Sequence, residues 1–154
     1  MKNNYDVIVV GGGIIGSAVT YYLSQESLNV CLLEKAGIAT GTTGATMGNL
    51  SLHNRVPGPW FDLALKTWDI YSHLQEKTGC DVEFSIVGSL MLIQEEENIA
   101  WAKNRVAMQR EAGLEVEFGA KDDSKSLDAE VGKTVAGAVY SPMSADVNLF
   151  LVDG

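Results

Sequence analysis

The chain has 154 residues, of which 46% are hydrophobic and 20% charged, a composition typical of a globular protein with one hydrophobic core. Its net charge of −9 disfavours a nucleic-acid partner, because binding to phosphate backbones requires concentrated Lys and Arg. No apolar run approaches the roughly 20 residues of a membrane helix, and the first residues lack a signal-peptide pattern. We therefore expect an acidic cytoplasmic protein without a transmembrane segment. Two cysteines and two histidines indicate neither a disulfide framework nor a metal site.

The N-terminal residues predict a βαβ unit. Residues 5–10 (YDVIVV) are a short β-branched run, typical of a buried parallel strand. Residues 14–25 carry apolar side chains at helical spacing, and residues 29–34 (NVCLLE) repeat the strand pattern. A strand, glycine loop, helix and strand within about 30 residues form a βαβ unit with a right-handed crossover.

A long loop and a helix follow. Residues 36–54 hold four glycines and four threonines without a clean period, and long loops of this kind are commonly functional. An apolar stripe then predicts a helix from Pro59 to Thr78, with Gly79 as its C-terminal cap.

The remaining elements do not continue the alternation of strand and helix. The patterns predict strands at 81–86, 90–93, 114–118 and 135–141, a helix from QEEEN to Gly113, and a polar loop at 121–130. The predicted fold class is α/β, with a Rossmann-like βαβ unit followed by a mixed second layer of strands and helices. The predicted boundaries divide the chain into residues 1–80, 81–145 and 146–154.

The glycine loop GGGIIG matches the dinucleotide-binding pattern GxGxxG at Gly11, Gly13 and Gly16. The first glycine allows a tight turn, the second lets the backbone approach a pyrophosphate, and the third lets helix and strand pack closely. Glu34 ends the second strand, where an acid accepts hydrogen bonds from a ribose and disfavours a 2′-phosphate. A strand–turn–helix without a ligand is the alternative interpretation.

Residues 36–54 favour a flavin over a nicotinamide. A nicotinamide-binding domain usually passes directly into another helix and a third parallel strand. This stretch stays rich in glycine and threonine instead, so its backbone can lie against a large flat cofactor.

Five stretches of the chain resemble the FAD-dependent D-amino-acid oxidase superfamily, which includes glycine and sarcosine oxidases and D-amino-acid dehydrogenases. They are YDVIVVGGGIIGSAVTYYLS, VCLLEK, TGTTGATMGN, FSIVGSLMLIQEEE and VAGAVYSPMSADVN, and together they span nearly the whole chain. The glycine loop is common to many flavoproteins, whereas the combination with the threonine-rich stretch is more specific.

The resemblance implies that FAD is the cofactor and that an amino acid or related amine is oxidised to an imine at its C–N bond. It also implies that residues 1–80 are the N-terminal part of a Rossmann-like FAD-binding domain, that 81–145 are part of a mixed α+β substrate-binding domain, and that 146–154 are a truncated return to the FAD-binding domain. It leaves the catalytic residues unknown. The residues that it implies for the cofactor fall into four groups. The pyrophosphate would be lined by Gly11, Gly13, Ile14, Ile15 and Gly16, and the adenosine ribose by Glu34 with Lys35 beside it; Thr42, Thr43 and Gly44 would contact the pyrophosphate side, and Thr46, Met47, Gly48 and Asn49 would pass the isoalloxazine ring.

The sequence departs from that family at its C-terminal end. Leu149 follows Asn148 where the family usually has a proline, and family members are much longer. We therefore expect an N-terminal piece, either expressed as such, truncated, or half of a split protein. A partner subunit or self-association would then cover surface that the piece exposes.

Three other interpretations remain open at this point. The chain is a non-catalytic FAD- or nucleotide-binding subunit, a fragment of an NAD-dependent dehydrogenase, or a protein that has kept the fold and lost the ligand. His53 is a candidate proton partner near the ring, and Arg55 a candidate for binding a carboxylate. A polar loop position explains His53 at least as well, and a solvated loop position is the favoured interpretation of Arg55.

Overall fold

A computed structural model describes residues 4–120 and 135–152. These residues fall into two compact units. The first comprises Met1–Gly48, Leu74–Glu83 and Val147–Gly154, and the second comprises Asn49–His73 and Phe84–Asp146. This division assigns residues 49–73 to the second unit, and the functional domain boundaries near 80 and 145 stay a prediction. The polar loop predicted at 121–130 lies outside the described residues.

The first unit contains the predicted βαβ arrangement. Strand β1 (Val7–Val10) pairs in parallel with β2 (Val30–Leu33), in a register that runs from Val7 opposite Val30 to Val10 opposite Leu33. Helix α1 (Ile14–Ser24) connects them and packs on both strands. The strand, loop, helix and strand predicted from the sequence are confirmed.

The predicted burial of β1 is wrong for the described residues. Ile8 is 56% exposed and Val10 82% exposed, and no residue of α1 is fully buried. The apolar pattern encodes a strand suited to burial on both faces, but exposure depends on what packs there. Among residues 4–120 and 135–152, this sheet has two strands.

The helix predicted from Pro59 to Thr78 is two helices, α2 (Pro59–Ser72) and α3 (Leu74–Thr78). His73 interrupts the helix. Its N–H donates to the carbonyl of Ile70, three residues earlier, at 3.3 Å, which is the bond of a 3-10 turn, and its φ of −113° lies outside the helical range. Gly79 ends α3 with a φ of +77°, as its predicted role as a cap requires.

The second unit contains two antiparallel three-stranded sheets. In one, β8 (Ala145–Asp146) lies between β3 (Asn49–Leu50) and β4 (Ser85–Ile86). In the other, β7 (Gly137–Ser141) lies between β5 (Ser89–Ile93) and β6 (Glu117–Ala120). Helix α4 (Ile99–Glu111), which follows a short 3-10 turn, packs against this second sheet.

Two predicted strands, those at 81–86 and 114–118, begin at least three residues later than the apolar pattern indicates. Before β4, Asp81 Oδ1 accepts the Glu83 N–H at 2.9 Å, and Glu83 adopts a φ of +54°, so a side-chain turn replaces the extended backbone. Before β6, the Val116 carbonyl accepts the Arg110 Nε–H at 2.6 Å instead of pairing with a strand.

The hydrophobic core lies in the second unit, where α2, α4 and the sheet of β5, β7 and β6 meet. Its buried members are Leu52, Phe61, Ile93, Ala102, Val106, Leu114, Val116 and Val139. None of the helices in residues 4–120 and 135–152 has the length and hydrophobicity that a membrane span requires.

The chain returns to the first unit through a short helix that the sequence analysis did not predict, α5 (Leu149–Val152). Asn148 Oδ1 accepts the Phe150 N–H at 3.2 Å and so caps the helix start. The Asn148 N–H donates to Val82 O at 3.0 Å. A helix therefore begins after Asn148 although no proline follows it.

Candidate functional site

A cleft of about 530 Å³ opens beside the glycine loop in the first unit. The carboxyl end of β1, the first turn of α1, Glu34 and the loop at 37–46 form its walls, with Leu149 of α5 at one side. The cleft thus lies beyond the carboxyl end of a parallel strand and against a helix N-terminus, where α/β proteins bind nucleotides.

Two of the three pattern glycines are required by the backbone itself. Gly11 has a φ of +106°, which L side chains rarely adopt. A side chain at Gly16 would collide with the carbonyl oxygen of Gly11, so helix and strand approach as closely as the pattern predicts. The turn from β1 into α1 therefore depends on glycine at these two positions.

Glu34 organises the glycine loop through its carboxylate. Oε2 accepts the Gly12 N–H at 2.8 Å, and Oε1 accepts the Ala36 N–H at 2.9 Å. The bond from Gly12, followed by that from Ala36, lowers the pKa of the Glu34 carboxyl. Each oxygen keeps a lone pair, so the ionised group can still accept from two ribose hydroxyls.

The first turn of α1 has amide donors to spare. The Ile14 N–H donates to Thr43 Oγ1 at 3.1 Å and the Gly12 N–H donates to Glu34. In the part of the chain that the structure describes, the N–H groups of Gly13, Ile15 and Gly16 have no protein acceptor. Free amides at a helix N-terminus are suited to bind a phosphate, because they add hydrogen bonds to the favourable end of the helix dipole.

The threonines of the loop divide into two pairs. The hydroxyls of Thr40 and Thr46 donate to backbone carbonyls, at 2.8 Å to Gly37 O and 3.0 Å to Thr43 O. The hydroxyl protons of Thr42 and Thr43 have no acceptor among residues 4–120 and 135–152. Both residues line the cleft, so two hydroxyl donors remain for a ligand.

The donor set of the cleft fits a dinucleotide that carries two phosphates and a ribose. Backbone amides and threonine hydroxyls are donors for phosphate oxygens, while Glu34 offers acceptors for ribose hydroxyls. A Cβ at Gly12 would meet Ile38 Cδ1 at 2.6 Å, so the loop is also closely backed by protein.

The structure brings nine of the fourteen predicted residues together along the cleft. They are Gly11, Gly13, Ile14, Ile15, Gly16, Glu34, Thr42, Thr43 and Thr46. The sequence analysis did not single out Gly12, Ala39, Thr40, Gly41 and Leu149, which line it too. The middle glycine of GGG and the small-residue loop are signals for the first four of these, whereas Leu149 carries none.

The other five predicted residues lie outside the cleft wall. Lys35 is exposed, and Met47 is 92% exposed. Gly44 lies where a side chain would meet the Phe150 ring at 2.8 Å, and Gly48, with a φ of +69°, packs against the Val147 carbonyl. Asn49 belongs to the second unit, where its Nδ2 donates to Asp146 Oδ1 at 2.9 Å.

His53 is buried within the second unit, where its Nδ1 lies beside two serine hydroxyls. Its Nδ1 lies 2.8 Å from Ser89 Oγ and 3.3 Å from Ser51 Oγ. Burial, and to a smaller extent the charge of Arg105, lowers the pKa of His53. The backbone carbonyls of His53 and Arg55 both accept from Gln109 Nε2, at 2.8 and 2.6 Å. The backbone of this segment is therefore bound to helix α4.

Comparison with known proteins identifies the family. The profile of the family described as FAD dependent oxidoreductase matches residues 6–152. The chain therefore belongs to the FAD-dependent oxidoreductase family, as the sequence resemblance predicted.

Curated relatives include oxidases of glycine and sarcosine. The chain is 35% identical to a glycine oxidase of Bacillus subtilis over 105 residues, which are 64% of this chain and 28% of the relative. It is 27% identical to a glycine oxidase of Geobacillus kaustophilus over 155 residues, 96% of this chain and 41% of the relative. It is 40% identical to the sarcosine oxidase subunit beta of Rhizobium meliloti over 72 residues, 44% of this chain and 17% of the relative. The chain thus spans less than half of the length of each of these relatives.

Solved structures share the fold. The glycine oxidase of Geobacillus kaustophilus matches with a TM-score of 0.85 and 26% identity, over 97% of this chain and 42% of that one. The L-alpha-glycerophosphate oxidase of Mycoplasma pneumoniae, solved with FAD bound, matches with a TM-score of 0.82 at 22% identity, over 99% of this chain and 41% of that one. At that identity the second match concerns the fold alone. The α/β fold class and the Rossmann-like first unit are confirmed.

Proposed function

We propose that the cleft of the first unit holds the pyrophosphate and adenosine ribose of FAD, in a protein that oxidises the C–N bond of an amino acid or related amine. The observation that carries this proposal is the donor set of the glycine loop, in a chain of the FAD-dependent oxidoreductase family. Three free amides, two free threonine hydroxyls and the Glu34 carboxylate converge on one cleft.

The residues of this chain would bind and orient the cofactor. The N–H groups of Gly13, Ile15 and Gly16, with the hydroxyls of Thr42 and Thr43, would donate to the phosphate oxygens. Glu34 would accept from the ribose, and its negative charge would repel the 2′-phosphate of NADP. Lys35, Gly44, Met47, Gly48 and Asn49 remain proposed contacts of the same cofactor.

FAD, when bound, would accept a hydride from the carbon that bears the amine, and the resulting imine would hydrolyse to a carbonyl compound. Glycine and sarcosine are the first substrates to test, because relatives named glycine oxidase and sarcosine oxidase subunit beta match this chain. No residue is assigned here to the substrate carboxylate or to proton transfer. A cytoplasmic location stays a prediction.

The binding proposal is tested by adding FAD to the purified chain, removing the excess, and recording the visible spectrum. We expect flavin absorbance to stay with the protein and to be lost or strongly reduced in Glu34→Ala. Glu26→Ala is the matched control, since Glu26 is an exposed acid on the turn after α1. A colourless wild-type chain that binds NADH tightly would instead support the nicotinamide interpretation.

The catalytic proposal is tested by following oxygen uptake, or reduction of an artificial acceptor, with glycine and with sarcosine. Turnover by the flavin-loaded chain would support an amine oxidase. A flavin-loaded chain that turns over neither substrate, even with an artificial acceptor, would contradict it for these two amines.

A second candidate is an FAD-binding subunit that needs a partner chain. One observation favours it: several relatives, the sarcosine oxidase subunit beta of Rhizobium meliloti among them, are named as subunits. A yellow protein that gains activity when a second chain is added would support this candidate over the first.

A further inference from the structure

The N-terminus of α1 is capped by a residue from a distant loop. Its N-cap residue is Gly13, which has no side chain to offer. The oxygen that accepts the Ile14 N–H comes from Thr43, which is 29 residues further along the chain. Thr43 is 7% exposed, and the bond itself is partly buried. A side-chain oxygen on an early amide is what the N-cap residue of a helix normally supplies.

The same threonine occupies the space beside Gly13. Gly13 has φ −92° and ψ 179°, an extended conformation that any residue adopts, so the backbone does not demand glycine here. A Cβ at this position would lie 2.9 Å from Thr43 Oγ1 but 4.0 Å from Thr43 Cβ. The first distance is too short for contact and the second is ordinary van der Waals contact. The obstacle to a side chain at position 13 is therefore the hydroxyl of Thr43.

We propose that Thr43 is a positioning residue of the cofactor cleft, and that its hydroxyl is the group that requires glycine at position 13. In this arrangement, Thr43 sets the glycine loop before any cofactor binds. Its oxygen accepts the Ile14 N–H while its proton is left for a ligand in the cleft. The ligand part of this inference rests on the function proposed above, whereas the cap and the pairing with Gly13 do not.

Additional bonds bind the two loops together around this contact. The Ala39 N–H donates to Gly12 O at 2.9 Å, and the Gly44 N–H donates to Ala39 O at 2.8 Å. Thr43 O in turn accepts the N–H and the hydroxyl of Thr46, at 3.3 and 3.0 Å. These bonds fix the backbone of Thr43, so its hydroxyl can move away from a new Cβ only by rotation of the side chain, which would break its bond to the Ile14 N–H.

The test is a double-mutant cycle on the thermal unfolding of the FAD-free chain, followed by circular dichroism. Gly13→Ala is introduced into the wild type, into Thr43→Ser and into Thr43→Ala. We expect its cost in Tm to be similar with Thr or Ser at position 43, and to be smaller by about 5 °C in the Thr43→Ala background. Any cost that alanine carries as a poorer N-cap is common to all three backgrounds and cancels in the comparison.

Gly41→Ala is the matched control. Gly41 lines the same cleft, but a Cβ there would meet nothing within 4 Å, and we expect its effect to be the same in each background. An equal cost of Gly13→Ala with Thr and with Ala at position 43 would overturn the pairing. If Thr43→Ala alone abolishes cooperative unfolding, then Thr43→Ser decides: a folded serine variant supports the role of the hydroxyl, and an unfolded one overturns it.

The contribution of the Thr43 hydroxyl to cofactor binding is measured separately, by FAD titration of Thr43→Val and Thr42→Val. Both should weaken FAD binding by roughly 10-fold or more through loss of a hydroxyl donor to a charged group. Only Thr43→Val should also lower the Tm of the FAD-free chain. If the wild type binds no FAD, the proposed function fails while the cycle still decides on the cap. If Thr42→Val lowers the Tm as much as Thr43→Val, the special role of Thr43 is overturned.

Discussion

The two units are held together by different kinds of interaction. In the second unit, Phe61, Val139 and Ser144 have essentially no exposed surface, and side chains pack around them. In the first unit, α1 has no fully buried residue, and the side chains of Glu34 and Thr43 hold the glycine loop by accepting hydrogen bonds from its backbone amides. Apolar burial therefore stabilises the second unit, whereas hydrogen bonds to backbone amides stabilise the glycine loop of the first.

This difference separates stability from binding. A packed core resists change because each removed atom loses contacts and leaves a cavity. A loop held by a few hydrogen bonds keeps its amides available, which is what an anion site needs. We therefore expect the second unit to dominate the free energy of unfolding and the first to dominate cofactor affinity.

The largest effect should come from Phe61→Ala. Phe61 is fully buried on α2, and its truncation should lower the free energy of unfolding by roughly 3–5 kcal/mol, through lost apolar burial and a cavity. The measurement is urea unfolding followed by circular dichroism. Trp60→Ala is the control, because Trp60 is 75% exposed on the same helix. If the two variants lost similar stability, the core assigned to the second unit would be wrong.

The next effect is a dependence of stability on pH through His53. The pKa of His53 is lowered in the folded protein, mainly by burial, so the unfolded chain binds its proton first. Stability from this group is complete above the unfolded value of about 6.5 and falls as pH drops towards the folded pKa, by at most about 1.4 kcal/mol per pH unit.

Urea unfolding at a series of pH values, in the wild type and in His53→Asn, measures this dependence. The variant should lose the slope below the pKa of a free histidine. His73→Asn removes the other histidine and serves as control. A slope that persisted in His53→Asn and vanished in His73→Asn would show that the buried cluster of the second unit is not its source.

The smallest effect concerns Ala39 in the first unit. Ala39 has a φ of +59° and is buried, so it adopts a left-handed conformation that costs a non-glycine residue about 1–2 kcal/mol. Ala39→Gly should remove this strain but gain unfolded-state entropy, leaving a net stabilisation of up to about 1 kcal/mol. Differential scanning calorimetry would detect it as a rise in Tm, and a clear fall in Tm would mean that the methyl group contributes packing.

The sequence was most informative where structure is local. The β-branched run, the glycine spacing and the helical stripe predicted β1, α1 and β2, because these patterns depend on neighbours a few residues away. The same spacing placed Gly11, Gly16 and Glu34 at one end of the sheet, where the structure has them lining the cleft.

Contacts between distant residues were not predictable in this way. Strands β3 and β8, in which Asn49 pairs with Asp146, have two residues each. Segments this short are too short to show an alternating pattern in the sequence. The bond from Ile14 to Thr43 likewise leaves no local signal, because any of several threonines would satisfy the pattern. Exposure of Ile8 and Val10 depends on what packs against them, which an apolar run does not record.

The return of the chain near Gly48 has a consequence for the order of folding. The Val147 N–H donates to Gly48 O at 3.0 Å, a bond that joins positions about 100 residues apart. Closing so long a loop is entropically unfavourable unless the intervening residues, nearly all of which belong to the second unit, are already compact. We therefore expect amide protons near Gly48 and Asn148 to become protected from exchange late in refolding, after those of β5 and β7.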